Sequence, residues 1–169
     1  MVSYLEKLAN RQSLTRKEAE NAMETLMSGS ALPAQIAALL AALRTKGESI
    51  EEITAFASVL RSRADRVDTG VKAIDIVGTG GDGANTFNIS TAAAIVTAAA
   101  GMPVAKHGNR ASSGRCGTAD VLEALGANIH NTPKEAVACL LRTNFCFLFA
   151  QDYHLAMRHV AQVRKELGI

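Results

Sequence analysis

The sequence predicts an α/β protein in two parts: an N-terminal helical domain over residues 1–69, then a partial parallel α/β domain over residues 70–169. Three observations carry this expectation. Up to residue 69 every periodic segment has helical spacing, punctuated by caps and glycines. Beyond Gly70, short apolar runs alternate with helical segments, the pattern of a parallel sheet. Aromatic residues make up only 4% of the chain, with no tryptophan, and alanine is abundant, which favours closely packed helices over a β-sandwich.

The elements follow in order. In "SLTRKEAENAMETLMSG", Thr15 is the N-cap with Glu18 three residues on, a capping box, and Gly29 is the stop. In "LPAQIAALLAALRTKG", Pro33 opens a helix, Ile36, Leu39, Leu40 and Leu43 share one face, and Gly47 ends it. "ESIEEITAFASVLRSRA" repeats the device: Ser49 caps, Glu52 answers, and Ile53, Phe56, Val59 and Leu60 line one face. Three helices on short turns make an antiparallel cluster. After Gly70, "AIDIV", "PVAKH" and "FCFLFA" are strand-like. Helical segments are expected at 90–100, 118–125, 133–142 and 153–167. Three strands are few for a parallel sheet that needs both faces covered, so the α/β part is expected to be unfinished.

Composition narrows the function. Eighteen basic and sixteen acidic residues leave a net charge of +2, no electrostatic case for nucleic acid or an anionic membrane surface. Cys116, Cys139 and Cys146 are an odd number without C-x-x-C spacing, which suits a reducing compartment and neither a disulfide framework nor a zinc site. The N-terminal stretch has no apolar signal region and nothing approaches ~18 uninterrupted apolar residues, so the expected location is the cytoplasm, with no membrane contact.

The chemistry is concentrated in two stretches. "DIVGTGGDGANTFNIST" contains G-x-G-x-x-G at Gly78, Gly80 and Gly83. No lysine follows closely, as a P-loop requires. A dinucleotide fingerprint needs a helix at once and an acid about 20 residues on, whereas the next acid after Asp82 is Asp120. What remains is a loop turning the amides of Gly80, Gly81 and Gly83 inward as an anion nest, with Ser90 and Thr91 in the first turn of an alanine-rich helix. Asp82 would repel a bare phosphate, so it points to a divalent cation, magnesium on a diphosphate. A turn with Asp82 as an ordinary turn acid is the alternative that this loop alone leaves open. In "GMPVAKHGNRASSGRCGTADVLEALG", Lys106 and Arg115 suit a phosphate, while His107 and Asn109 offer neutral hydrogen bonds to an organic ligand. Both loops follow strands, which puts them at one carboxyl edge of a parallel sheet, where ligands bind. A coil of solvated charges is the bland alternative there.

"GTGGD", "NIST", "KHGNR" and "SGRCG-TADVLEALG" together resemble the anthranilate phosphoribosyltransferases of tryptophan biosynthesis, and the likeness runs from the helical region through "YHLAMRHVAQVRKELGI". The resemblance implies transfer of the phosphoribosyl group of phosphoribosyl pyrophosphate to anthranilate, with magnesium (Mg2+), releasing pyrophosphate, by a homodimer joined through its helical domains. It assigns the donor to Gly78, Thr79, Gly80, Gly81, Asp82, Thr86, Asn88, Ser90, Thr91, Lys106, Ser113, Gly114, Arg115 and Cys116. Anthranilate falls to Gly78, His107, Asn109 and Arg164, and the metal to Ser90 and Asp82. No residue is implied as a covalent catalyst. Cys116 departs from the family, where many relatives carry serine. Relatives are about twice as long, so the chain is expected to be an N-terminal portion with little activity alone. A pyrimidine nucleoside phosphorylase-like enzyme is the nearest rival, though its loop usually reads Lys-His-Ser. A non-catalytic nucleic-acid-binding relative would need a basic groove, yet residues 71–169 hold nine basic and seven acidic side chains.

Overall fold

Four helices occupy residues 1–64 of the computed structural model, which describes residues 1–78, 86–111 and 116–169. They are α1 (Val2–Ala9), α2 (Arg16–Met27), α3 (Pro33–Lys46) and α4 (Ile50–Arg63). Both expected capping boxes are present. The Thr15 amide donates to Glu18 Oε2 at 2.9 Å and the Glu18 amide to Thr15 Oγ1 at 3.4 Å; Ser49 and Glu52 do the same at 2.7 and 3.2 Å. Pro33 sits at the start of α3, where its missing N–H costs nothing. Gly47 ends that helix at φ +83°, a conformation glycine adopts without strain. The sequence expectation missed α1, which has no side-chain cap and is fixed instead by burial of Leu8 and by Lys7 bonding Glu18 at 2.7 Å.

The chain divides into two compact units, Met1–Ala64 with His154–Ile169, and Asp65–Tyr153. The first is the helical unit. α2 packs on α4, α1 on α3, and the returning C-terminal helix on α2 and α3. The core is aliphatic and alanine-rich: Leu8, Leu14, Ala22, Leu26, Ile36, Leu39, Leu43, Ala55 and Val59, joined by Val160 and Val163. Gly29 has a second duty beyond stopping α2. A Cβ there would lie 2.6 Å from His159 Nδ1, so the absent side chain makes room for the imidazole. The fully buried Glu52 carboxylate accepts the Leu14 amide at 2.8 Å and the Lys46 ammonium at 2.8 Å, while also closing its own cap. Burial pushes this carboxyl up, but the bonds from Lys46, Ser49 and Leu14 outweigh it and hold the group below the ordinary glutamate value.

The second unit is α/β. Its remaining elements are α5 (Ile89–Ala99), β1 (Val104–Gly108), α6 (Thr118–Ala124), α7 (Pro133–Thr143), β2 (Phe145–Phe149) and the single turn α8 (Ala150–Tyr153). β1 and β2 pair in parallel, Val104 opposite Phe145 through Gly108 opposite Phe149. The expected strand in "AIDIV" is reduced to one parallel bridge, Ile74 with Val104. Ile74 and Val77 remain exposed, so little burial extends the pairing. Residue alternation along the strands sorts the helices. Val104 packs on Ala94 and Ala98 of α5, and Phe147 and Phe149 pack on Ala119 and Leu122 of α6. Cys146 points the other way, to Ala136 and Leu140 of α7. The single helix expected over 153–167 is instead α8, a 3-10 turn (Leu155–Met157) and α9 (Arg158–Leu167). α9 belongs to the helical unit, because Val160 and Val163 find their apolar partners there.

Candidate functional site

Lys106 occupies a core position of β1. Strand alternation places it two residues from the buried Val104, and its side chain is 0% exposed. Its ammonium donates to the Ile76 carbonyl and, at 3.3 Å, to Ser90 Oγ. Burial pushes this amine down from the ordinary lysine value, and the Asp75 carboxylate opposes that shift. Among the described residues, no carboxylate lies within 4.0 Å of Nζ.

Ser90 stands in the first turn of α5, and its surroundings follow from "NIST". Asn88 is the N-cap: its Oδ1 accepts the Thr91 amide at 2.9 Å and the Ser90 hydroxyl at 3.1 Å. The Asn88 carboxamide also donates to the Cys116 carbonyl at 3.4 Å. Thr91 is 1% exposed, and its hydroxyl meets that of Thr118 at 3.3 Å, tying the start of α5 to the start of α6. The structure thus brings Asn88, Ser90, Thr91, Lys106 and Cys116 into one neighbourhood. The positive end of α5 and a buried ammonium face each other there, an arrangement that calls for an anion.

His107 and Asn109 follow on the same edge. The His107 amide donates to Asp75 Oδ1 at 3.3 Å. Asn109 Oδ1 accepts the Arg110 amide at 2.8 Å and Gln151 Nε2 at 3.3 Å, which fixes its carboxamide. Gly78 and Thr86 are exposed, and Cys116 is an exposed free thiol. Thr79, Gly80, Gly81, Asp82, Gly83, Ser113, Gly114 and Arg115 lie outside the described residues. Arg164 is exposed on α9 of the helical unit. A cavity of about 340 Å³, lined by residues such as His130, Glu135, Asp152 and Tyr153, shares none of these positions.

The oxygens near Lys106 suit magnesium in kind: Ser90 Oγ and Asn88 Oδ1 are hard, neutral donors. Among the described residues, no group of three His, Cys, Asp or Glu could hold a metal alone. Either oxygen could complete the shell of an ion already coordinated by the phosphates of a ligand. The donor set fits that form.

Two contributors do not emerge from the sequence: Asp75, which falls in an expected strand, and the Ile76 carbonyl, which is backbone.

Two family models match the chain: "Glycosyl transferase family, helical bundle domain" over residues 2–64 and "Glycosyl transferase family, a/b domain" over residues 70–169. Among curated relatives, the anthranilate phosphoribosyltransferase of Methanobrevibacter smithii is 55% identical, over 96% of this chain and 49% of its own length. The crystal structure of the Thermus thermophilus enzyme of that name superposes with a TM-score of 0.85 at 46% identity, covering 98% of this chain and 50% of that one. The Saccharomyces cerevisiae enzyme, solved in complex with PRPP and Mg, gives 0.84 at 32% identity, covering 99% and 51%. The chain spans about half the length of the relatives it matches. No helix among the described residues is long and apolar enough to cross a membrane.

Proposed function

Because the chain belongs to the glycosyl transferase family whose helical bundle and a/b domains it matches, we propose that it binds phosphoribosyl pyrophosphate and serves transfer of the phosphoribosyl group to anthranilate, in tryptophan biosynthesis. The observation that carries this is the buried Lys106 ammonium, 3.3 Å from Ser90 Oγ at the positive end of α5. Two positive elements converge on a place where a diphosphate would sit. The structural relative solved with PRPP and Mg supports the same assignment.

The reaction is a substitution at the anomeric carbon, with positive charge growing on the ribose as pyrophosphate leaves. Lys106 and the positive end of α5 stabilise the departing negative charge without having to reorganise. Asn88 holds Ser90 and the helix start in place for this. Magnesium, when bound through Ser90 and Asp82, supplies further charge neutralisation of the diphosphate. The aromatic amine of anthranilate is neutral near physiological pH and needs no strong base. His107 and Asn109 would orient it, and the fixed carboxamide of Asn109 suits that task. Arg164 carries its assignment to the anthranilate carboxylate from the resemblance alone. A homodimer through the helical unit is part of the proposal, supported by exposed apolar side chains at Leu32, Ile50 and Ile53. So is a cytoplasmic location, supported by three free cysteines.

The test is a pair of assays on the purified chain with magnesium. One follows anthranilate-dependent pyrophosphate release from the donor; the other follows phosphate-dependent cleavage of a pyrimidine nucleoside. Pyrophosphate release is expected, slower than about 1 per second because the chain spans half the length of its relatives. Nucleoside cleavage without pyrophosphate release would replace the transferase with the phosphorylase.

A further inference from the structure

Asp120 makes more bonds than a helix cap requires. Its Oδ2 accepts the Gly117 amide at 2.8 Å, which is the ordinary reach of an acid at the third position of α6. The same oxygen also accepts the Ala111 amide at 2.9 Å, from a segment nine residues upstream. Its other oxygen takes Arg110 Nη1 at 3.3 Å. Arg110 is in turn held by Glu123 Oε1 at 2.8 Å and lies over the Phe149 ring, 5.7 Å from its centre. One carboxylate therefore joins two stretches of chain, 109–111, which follows directly on β1, and 116–118.

Those two stretches touch at Gly117. A Cβ there would overlap the Ala111 nitrogen and lie 2.5 Å from the Arg110 carbonyl carbon and 2.7 Å from the Asn109 carbonyl oxygen. The φ of Gly117 is ordinary, so glycine is needed for space and not for conformation. The residues flanking this neck hold the donor site directly. The Cys116 carbonyl accepts Asn88, the N-cap of α5, and the Thr118 hydroxyl meets Thr91.

We infer that Asp120 is a positioning residue of the donor site: by closing the neck between Ala111 and Gly117 it holds Cys116 and Thr118 against the start of α5. This rests on the donor-site assignment proposed above. The Asp120 carboxylate acts through backbone: it fixes where Asn88, and through it Ser90, must stand.

The experiment compares the wild-type chain with Asp120→Ala, Asp120→Asn and Glu123→Gln, the last touching the Arg110 guanidinium but neither the Ala111 nor the Gly117 amide. Two readouts are taken: amide exchange at Ala111 and Gly117 by NMR, and magnesium-dependent titration with phosphoribosyl pyrophosphate. Asp120→Ala should lose protection at both amides and bind the donor about tenfold or more weakly, the scale of hydrogen bonds to a charged acceptor. Asp120→Asn keeps an oxygen for the two amides and should recover part of both effects, while Glu123→Gln should leave both readouts near wild type. Unchanged exchange at Ala111 and Gly117 in Asp120→Ala overturns the neck. Lost protection with unaltered donor affinity overturns its role at the site. No donor binding by the wild-type chain overturns the donor-site assignment itself, a failure that the exchange readout keeps separate.

Discussion

Replacing Lys106 with methionine should separate function from stability. Lys106 is fully buried, its amine is pushed down by desolvation, and no carboxylate among the described residues is within ion-pair distance. Such a charge contributes little to folding. Removing it relieves the desolvation penalty of a buried ion, which amounts to several kcal/mol. Against that, the Ile76 carbonyl and Ser90 Oγ lose a donor, at a cost of roughly 1–3 kcal/mol each when left unpaired. Methionine has a similar length and fills the same space. The two effects nearly cancel, so urea unfolding of Lys106→Met should match wild type within about 1 kcal/mol. Donor binding has no such compensation. Loss of a charge-assisted contact to the diphosphate should weaken it by about 1.5–3 kcal/mol, roughly ten- to a hundredfold. The assays are urea titration by circular dichroism and calorimetric titration of phosphoribosyl pyrophosphate with magnesium. A variant that unfolds more easily yet binds the donor as well as wild type would refute the reasoning, for it would make Lys106 a structural lysine.

Other outcomes follow from the same contacts. Glu52→Ala should destabilise the helical unit by about 3–5 kcal/mol, because it takes the carboxylate from the largely buried Lys46 ammonium and the acceptor from the Leu14 amide; a loss under about 1 kcal/mol in urea titration would show that Ser13 and the Gly47 carbonyl suffice to hold Lys46. Acid should weaken α1 and α2 in a defined window. Bonds from Lys7, then from the Thr15 amide and hydroxyl, lower the Glu18 carboxyl from the ordinary value of 4.5 to about 2. The unfolded chain binds the extra proton first, so this contribution is complete above pH 4.5 and is lost as pH falls towards 2. Glu18→Gln should flatten the acid-unfolding curve there, and identical curves would remove the carboxylate from the account. Gly117→Ala must push the 109–111 backbone aside, costing about 1–3 kcal/mol as overpacking; an unshifted melting temperature would mean that the neck yields freely.

The helical unit was legible because its signals are local. Thr15 with Glu18, Ser49 with Glu52, Pro33 and Gly47 each announce a boundary within four residues, and the structure uses every one. What was not legible depended on distant partners. α1 lacks a side-chain cap and is held by a lysine reaching α2. α9 has a helical pattern that says nothing of which unit it joins; the space above Gly29 and the apolar face of α3 decide that. "AIDIV" has the composition of a strand, yet pairs at one residue, since strand formation depends on what covers it. At the candidate site, Lys106 and Ser90 stand out in the sequence because charge and hydroxyl placement after strands is a readable pattern, whereas Asn88 is named by the resemblance alone. That pattern misses Asp75 and Asp120, acids that act by accepting backbone amides from other segments. Thr91, which the resemblance assigns to the phosphate, has its hydroxyl on Thr118, a contact that no local pattern announces.

The most direct measurement is calorimetric titration of phosphoribosyl pyrophosphate into the 169-residue chain, with and without magnesium. Convergence of the Lys106 ammonium and the start of α5 predicts saturable binding at one site per chain, strengthened by magnesium and competed by inorganic pyrophosphate. Absence of saturable donor binding in a folded chain, or binding that ignores both magnesium and pyrophosphate, would contradict it.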